Sequence, residues 1–173
     1  MEKRLVTRIR IFASLFVLCL VASGITAIPL QTELNTLTAI AGPDQTSDVS
    51  RWLVKIRDAV ATTNAKYPFM AYGTDWLAFS HFVIAIAFIG PIRDPVKNIW
   101  VFDFGIIACA AVIPFAMIVG SFRGIPIWWR LIDCSFGVVG MIPLLYCRTK
   151  TKQLAELRRN KLTGSTFFNP VQP

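Results

Sequence analysis

Four apolar stretches, each about as long as one membrane crossing, constrain the fold of this chain more than any other feature. They are IFASLFVLCLVASGITAIPL (11–30), DWLAFSHFVIAIAFIGPI (75–92), IWVFDFGIIACAAVIPFAMIVG (99–120) and IPIWWRLIDCSFGVVGMIPLLYC (125–147). An α-helix rises about 1.5 Å per residue, so about 20 apolar residues cross the roughly 30 Å hydrocarbon core of a bilayer. In that solvent every backbone N–H and C=O must be satisfied within the protein, and a helix does this inside one segment. The expected fold is therefore an all-α integral membrane protein, a bundle of four transmembrane helices. Composition agrees: at 54% hydrophobic and 16% charged residues, 173 residues carry too few charges to cover a soluble globule. Gly90 and Pro91 are expected to end the second span, and Pro114 to kink the third.

Charge sets the expected orientation. Of eighteen Lys and Arg, twelve fall in the 1–10 tail (Lys3, Arg4, Arg8, Arg10), the 93–98 turn (Arg93, Lys97) and the 148–173 tail (Arg148, Lys150, Lys152, Arg158, Arg159, Lys161). Threading four spans puts all twelve on one side. Because short basic segments are retained in the cytoplasm, both termini are expected there, in the cell (inner) membrane. A cleaved signal peptide ending after Ala27 competes with the first span, since a basic start, an apolar core and small residues fit both. The net charge of +8 could suggest nucleic acid on a soluble domain, but no basic helix or aromatic-basic platform is present. The expected partners are membrane lipid and a protein partner or second copy, with no nucleic acid.

The 31–74 segment is expected on the outer face. Within it, RWLVKIRDAVATTNAK (51–66) places Trp52, Leu53, Ile56 and Val60 on one side of a helix, with Ser50 or Asp48 as cap. This predicts an amphipathic helix lying at the membrane interface or against the rim of the bundle. AGPDQTSD (41–48) is a turn-rich linker. The 148–173 tail starts as a polar helix and ends in TGSTFFNPVQP, which has the composition of a disordered segment.

Ionisable groups inside a span cost about 2.5 to 3.5 kcal/mol each on insertion scales, so each invites a functional question. His81, Asp103, Arg130 and Asp133 qualify, while Asp75, Arg93, Asp94 and Arg123 sit at span ends. Counting residues puts His81, Arg130 and Asp133 in one layer about 8 to 12 Å below the outer boundary. Arg130, Asp133 and Gly137 share one face of the fourth span. The expected arrangement is an Arg130–Asp133 pair at i, i+3 with His81 donating to Asp133, and Asp75 within reach. Asp103 lies about 6 Å inside the opposite boundary, where Lys97, Arg93 or Arg148 can pair with it.

Two functions follow from this inventory. One is a non-catalytic membrane component or partner-binding subunit, in which His81, Asp75, Asp103, Arg130 and Asp133 hold helices together. The other is a small enzyme or carrier acting on an amphiphilic lipid or quinone at the outer leaflet. There His81 is the acid/base, Asp133 its orienting carboxylate, and Arg130 or Arg123 the anion clamp, with Trp76, Trp128 and Trp129 at headgroup level. The non-catalytic role is preferred. No cofactor is predicted, because a single histidine cannot ligate haem from both sides within one chain. No metal site is predicted either, since Cys19, Cys109, Cys134 and Cys147 all lie in apolar runs without a C-x-x-C. No G-x-S-x-G, H-E-x-x-H, Walker loop or paired-aspartate phosphotransfer motif occurs.

Overall fold

The computed structural model describes residues 2–42 and 46–166, and the described residues form helices and no strand. In order they are α1 (Glu2–Ala27), α2 (Leu30–Ala41), α3 (Asp48–Lys66), a 3₁₀ turn (Pro68–Met70), α4 (Ala71–Ala87), α5 (Ile89–Arg93), α6 (Ile99–Phe122) and α7 (Ile127–Thr166). Four helical stretches, Glu2–Ala27, Pro68–Arg93, Ile99–Phe122 and Ile127–Thr163, are long and apolar enough to cross a membrane. The chain is thus an all-α protein of the membrane-spanning kind. Part of the expected linker (43–45) and the end of the tail (167–173) lie outside the described residues.

The helices divide into two compact units, residues 1–17 with 86–173, and residues 18–85. The first is built on the α6–α7 hairpin. Gly124, at φ +65°, ends α6: Gly124 N donates to Ser121 O and Ile125 N to Gly120 O, the pair of bonds that satisfies the last carbonyls of a helix when its closing residue is left-handed. Pro126 follows at once, and its carbonyl accepts the first bonds of α7, from Trp129 N and Arg130 N. RGIP (123–126) is therefore a complete helix stop and start.

Lipid tails are as apolar as leucine, so membrane helices associate through close packing rather than through transfer out of water. The α6–α7 seam is built accordingly. A Cβ at Gly137 would sit 2.5 Å from the Cys109 carbonyl oxygen, and one at Gly105 would meet Leu144 Cδ1 at 2.8 Å and Phe88 Cζ at 3.0 Å. Phe88 is fully buried, with ring centroids 4.9 Å from Phe16 and 6.3 Å from Phe102. Phe12 packs on Tyr146 at 4.5 Å, and the buried Cys147 thiol donates to Ile9 O at 3.6 Å, which fastens the start of α1 to α7.

The end of the second span differs from expectation. The second span breaks at Phe88 and then continues as α5 to Arg93, because Pro91 lacks the N–H that would bond Ala87 while Gly90 and Ile92 still fit a new turn. The helix that holds the fourth span runs on into the polar stretch expected to be helical: α7 has 40 residues in all, about 60 Å at the helical rise. About half of that length is needed to cross the hydrocarbon, so α7 carries the basic residues up to Lys161 on the same helix as the span.

In the second unit, α2 and α3 pack on each other through Leu34 and Thr38 on one side and Ser50, Leu53 and Val54 on the other. Helix α2 was not expected from the sequence. It changes what the α3 stripe faces: the buried side runs along Ser50, Leu53 and Val54, while Trp52, Ile56 and Val60 are only half-buried. The cap is Ser47, whose Oγ accepts from Ser50 N at 3.0 Å while its own N donates to Ser50 Oγ at 3.2 Å. Gly24 of α1 lies against Phe82 and the Ala78 carbonyl of α4.

Candidate functional site

The expected polar layer divides between the units: Arg130 and Asp133 belong to the first, Asp75 and His81 to the second. Arg130 and Asp133 stand one turn apart on α7 as expected, yet they form no ion pair. Arg130 Nη1 instead donates to Met117 O on α6 at 3.2 Å. The reason is local. Helical side chains lean toward the N-terminus, which for Arg130 means toward the end of α6. Gly120 leaves room there, since a Cβ on it would lie 2.5 Å from Arg130 Cδ. The last turns of α6 also carry the negative end of its dipole, so a guanidinium is drawn to them. Arg130 Nε stays buried without a partner, and Asp133, half-buried, forms no hydrogen bond or ion pair with the described residues of its own unit.

His81 Nδ1 is 2.9 Å from Leu77 O, one turn back on α4. A carbonyl only accepts, so Nδ1 carries a proton and donates it to Leu77 O. Asp75 is exposed on the same helix beside Tyr72, Trp76 and Phe79.

Asp103 behaves as expected of a pair at a span end, and among its possible partners the structure selects Arg148, whose Nε donates to Asp103 Oδ1. Both side chains are about two-fifths exposed, so water and salt reduce the strength of the contact. It fastens α6 to α7 where α7 becomes polar.

Beyond this pair lies a network that the sequence did not reveal. Arg10 Nε and Nη2 donate to Ile92 O and Arg93 O at 2.9 and 3.2 Å, which satisfies the exposed carbonyl end of α5. Asn98 Nδ2 donates to Gly90 O and Asp94 O, holding the 94–98 turn closed. Arg158 Nε and Lys161 Nζ donate to the two oxygens of Glu2 at 3.0 and 2.9 Å, and Arg158 Nη1 lies 3.9 Å from Asp94. The hydrogen bond from Lys161, then that from Arg158, hold the Glu2 carboxyl below its ordinary range. One signal was available: Glu2 is the only acid in a ten-residue tail of otherwise basic and apolar character.

Among the described residues no group of three His, Cys, Asp or Glu is placed to hold a metal ion. Chemically, the first unit offers polar contacts that join helix ends, and one intramembrane carboxylate, Asp133, that its own unit leaves unanswered. No protein-family model, no curated protein and no solved structure matches the chain.

Proposed function

We propose that this chain is a non-catalytic, multi-pass membrane subunit that binds a protein partner, or a second copy of itself, through the faces of its spans. The observation that carries the reading is Asp133. A carboxylate in a span is costly unless it is answered, and the nearest cation on its own helix, Arg130, is engaged with Met117 O. A donor or cation on a partner helix supplies what is missing. The surrounding surface suits such a partner: Phe136, Val139 and Ile142 on α7 and Ile107, Phe115 and Ile118 on α6 are all more than half exposed.

We further place both termini in the cytoplasm of the cell (inner) membrane. Support comes from the way the 1–10 tail, the 94–98 turn and the α7 extension meet through Arg10, Glu2, Asp94, Arg158 and Lys161. Three segments that touch lie on one side of a membrane, and these three hold most of the Lys and Arg.

The test is the mass of the particle extracted from native membranes into small lipid discs. The wild type is expected in an assembly heavier than one chain, and Asp133→Leu is expected to release it as a single chain with unchanged helicity. A wild type that emerges as a single chain would refute the reading.

A further inference from the structure

Helix α4 carries Tyr72, Asp75, Trp76 and Phe79 at i, i+3, i+4 and i+7, the spacing that places side chains on one helix face. Tyr72 and Trp76 stand edge to face with centroids 6.0 Å apart and planes at 88°. Trp76 and Phe79 repeat that geometry at 5.7 Å and 90°. Rings set at right angles in succession make a corner, and with Asp75 they line an open recess of about 310 Å³. Each of the three rings is more than half exposed.

An interfacial belt accounts for Tyr and Trp at the start of a span, and such residues need no ligand. It does not account for the carboxylate among them. Asp75 has no ion pair within its own unit, although that unit contains Arg51, Lys55, Arg57 and Lys66. Arg51 and Arg57 are paired with Asp48 and Asp58, while Lys55 and Lys66 lie over the rings of Trp52 and Tyr67. The faces of aromatic rings are negative, and a carboxylate beside them deepens that potential. The recess is therefore complementary to a cation with apolar surface. A methylated ammonium is weakly hydrated and carries apolar surface of its own, so it is the cation that aromatic corners bind best. At the level of a lipid headgroup, that cation is the quaternary ammonium of phosphatidylcholine.

We infer that this face of α4 is a binding site for the quaternary ammonium headgroup of phosphatidylcholine. Tyr72, Trp76 and Phe79 supply the walls that its methyl groups contact, and Asp75 supplies the counter-charge. The site is separate from the partner-binding role of Asp133 and does not depend on it.

The experiment uses the full chain in mild detergent, titrated separately with dioleoylphosphatidylcholine and dioleoylphosphatidylglycerol, with bound lipid counted by native mass spectrometry. Phosphatidylcholine is expected to bind the wild type, and its half-saturation concentration is expected to rise on the order of five-fold in Asp75→Asn and in Trp76→Leu. Asp75→Glu, which keeps the carboxylate, retains wild-type binding. Phosphatidylglycerol binding is unchanged in all three. Circular dichroism confirms that the variants fold. Phosphatidylcholine binding that is unaltered by Asp75→Asn, or that falls in parallel with phosphatidylglycerol binding, would overturn the inference.

Discussion

Replacing Gly137 with alanine places a methyl carbon 2.5 Å from the Cys109 carbonyl oxygen, far inside the 3.4 Å at which ordinary contact begins. The obstacle is backbone, so no rotamer change relieves it; α6 and α7 must separate by the better part of an ångström along their seam. Overpacking of this kind costs about 1 to 3 kcal/mol. Alanine in a helix interior returns about 0.5 to 1 kcal/mol over glycine. The expected net loss is about 1 to 2 kcal/mol, read as the midpoint of unfolding in mixed detergent followed by circular dichroism. Gly105→Ala is expected to cost less, because the nearest atoms belong to the side chains of Leu144 and Phe88, which can shift. Gly73→Ala on α4 meets nothing within 4 Å and is expected to stabilise. If Gly137→Ala is as stable as Gly73→Ala, the close approach of α6 and α7 at Cys109 is wrong.

A Cβ at Gly140 would lie 3.2 Å from Cys109 Sγ, a spacing compatible with a disulfide's S–S bond of about 2.05 Å. Gly140→Cys is therefore expected to cross-link to Cys109 on mild oxidation, and an absence of the bond in mass spectra of digests would refute the helix register. Thr151 is fully buried with an unpartnered Oγ1, so Thr151→Val is expected to raise stability by about 1 kcal/mol, and a lower unfolding midpoint would show that the hydroxyl is satisfied. Because Arg130 bonds Met117 O and not Asp133, the effects of Arg130→Met and Asp133→Asn on stability should add within about 0.5 kcal/mol; a larger coupling would restore the pair expected from their spacing. The Glu2 carboxyl titrates below its ordinary value of 4.5, so its contribution is complete above that pH and is lost as pH falls through the lowered value. Glu2→Gln removes the same charge at neutral pH, so tryptic cleavage at Arg158 is expected to be faster in Glu2→Gln than in the wild type; a tail equally protected in both would refute the clasp.

Much of the architecture was legible because the bilayer simplifies the problem. A run of about 20 apolar residues has few alternatives to a helix, so the four spans and the all-α class followed from length and composition. The amphipathic helix at 51–66 was legible from its periodicity, whereas α2 was not: LQTELNTLTAIA mixes polar and apolar residues with a stripe only as wide as Leu34 and Thr38. The end of the second span was less legible, because local rules compete at Phe88, where Pro91 removes one helical bond and a new turn still forms.

The sequence alone determined which groups are expensive: His81, Asp103, Arg130 and Asp133 are identifiable by charge and position without coordinates. Tertiary structure decided how each is answered. Spacing along one helix makes Arg130 and Asp133 neighbours, but side-chain lean, the space at Gly120 and the carbonyl end of α6 turn Arg130 toward Met117. The contacts of Arg10 and Glu2 likewise join residues more than eighty positions apart, through backbone carbonyls and a carboxylate that no local pattern announces. A hydrogen bond is set by distances of a few tenths of an ångström between separate helices, and only the packing of those helices supplies them.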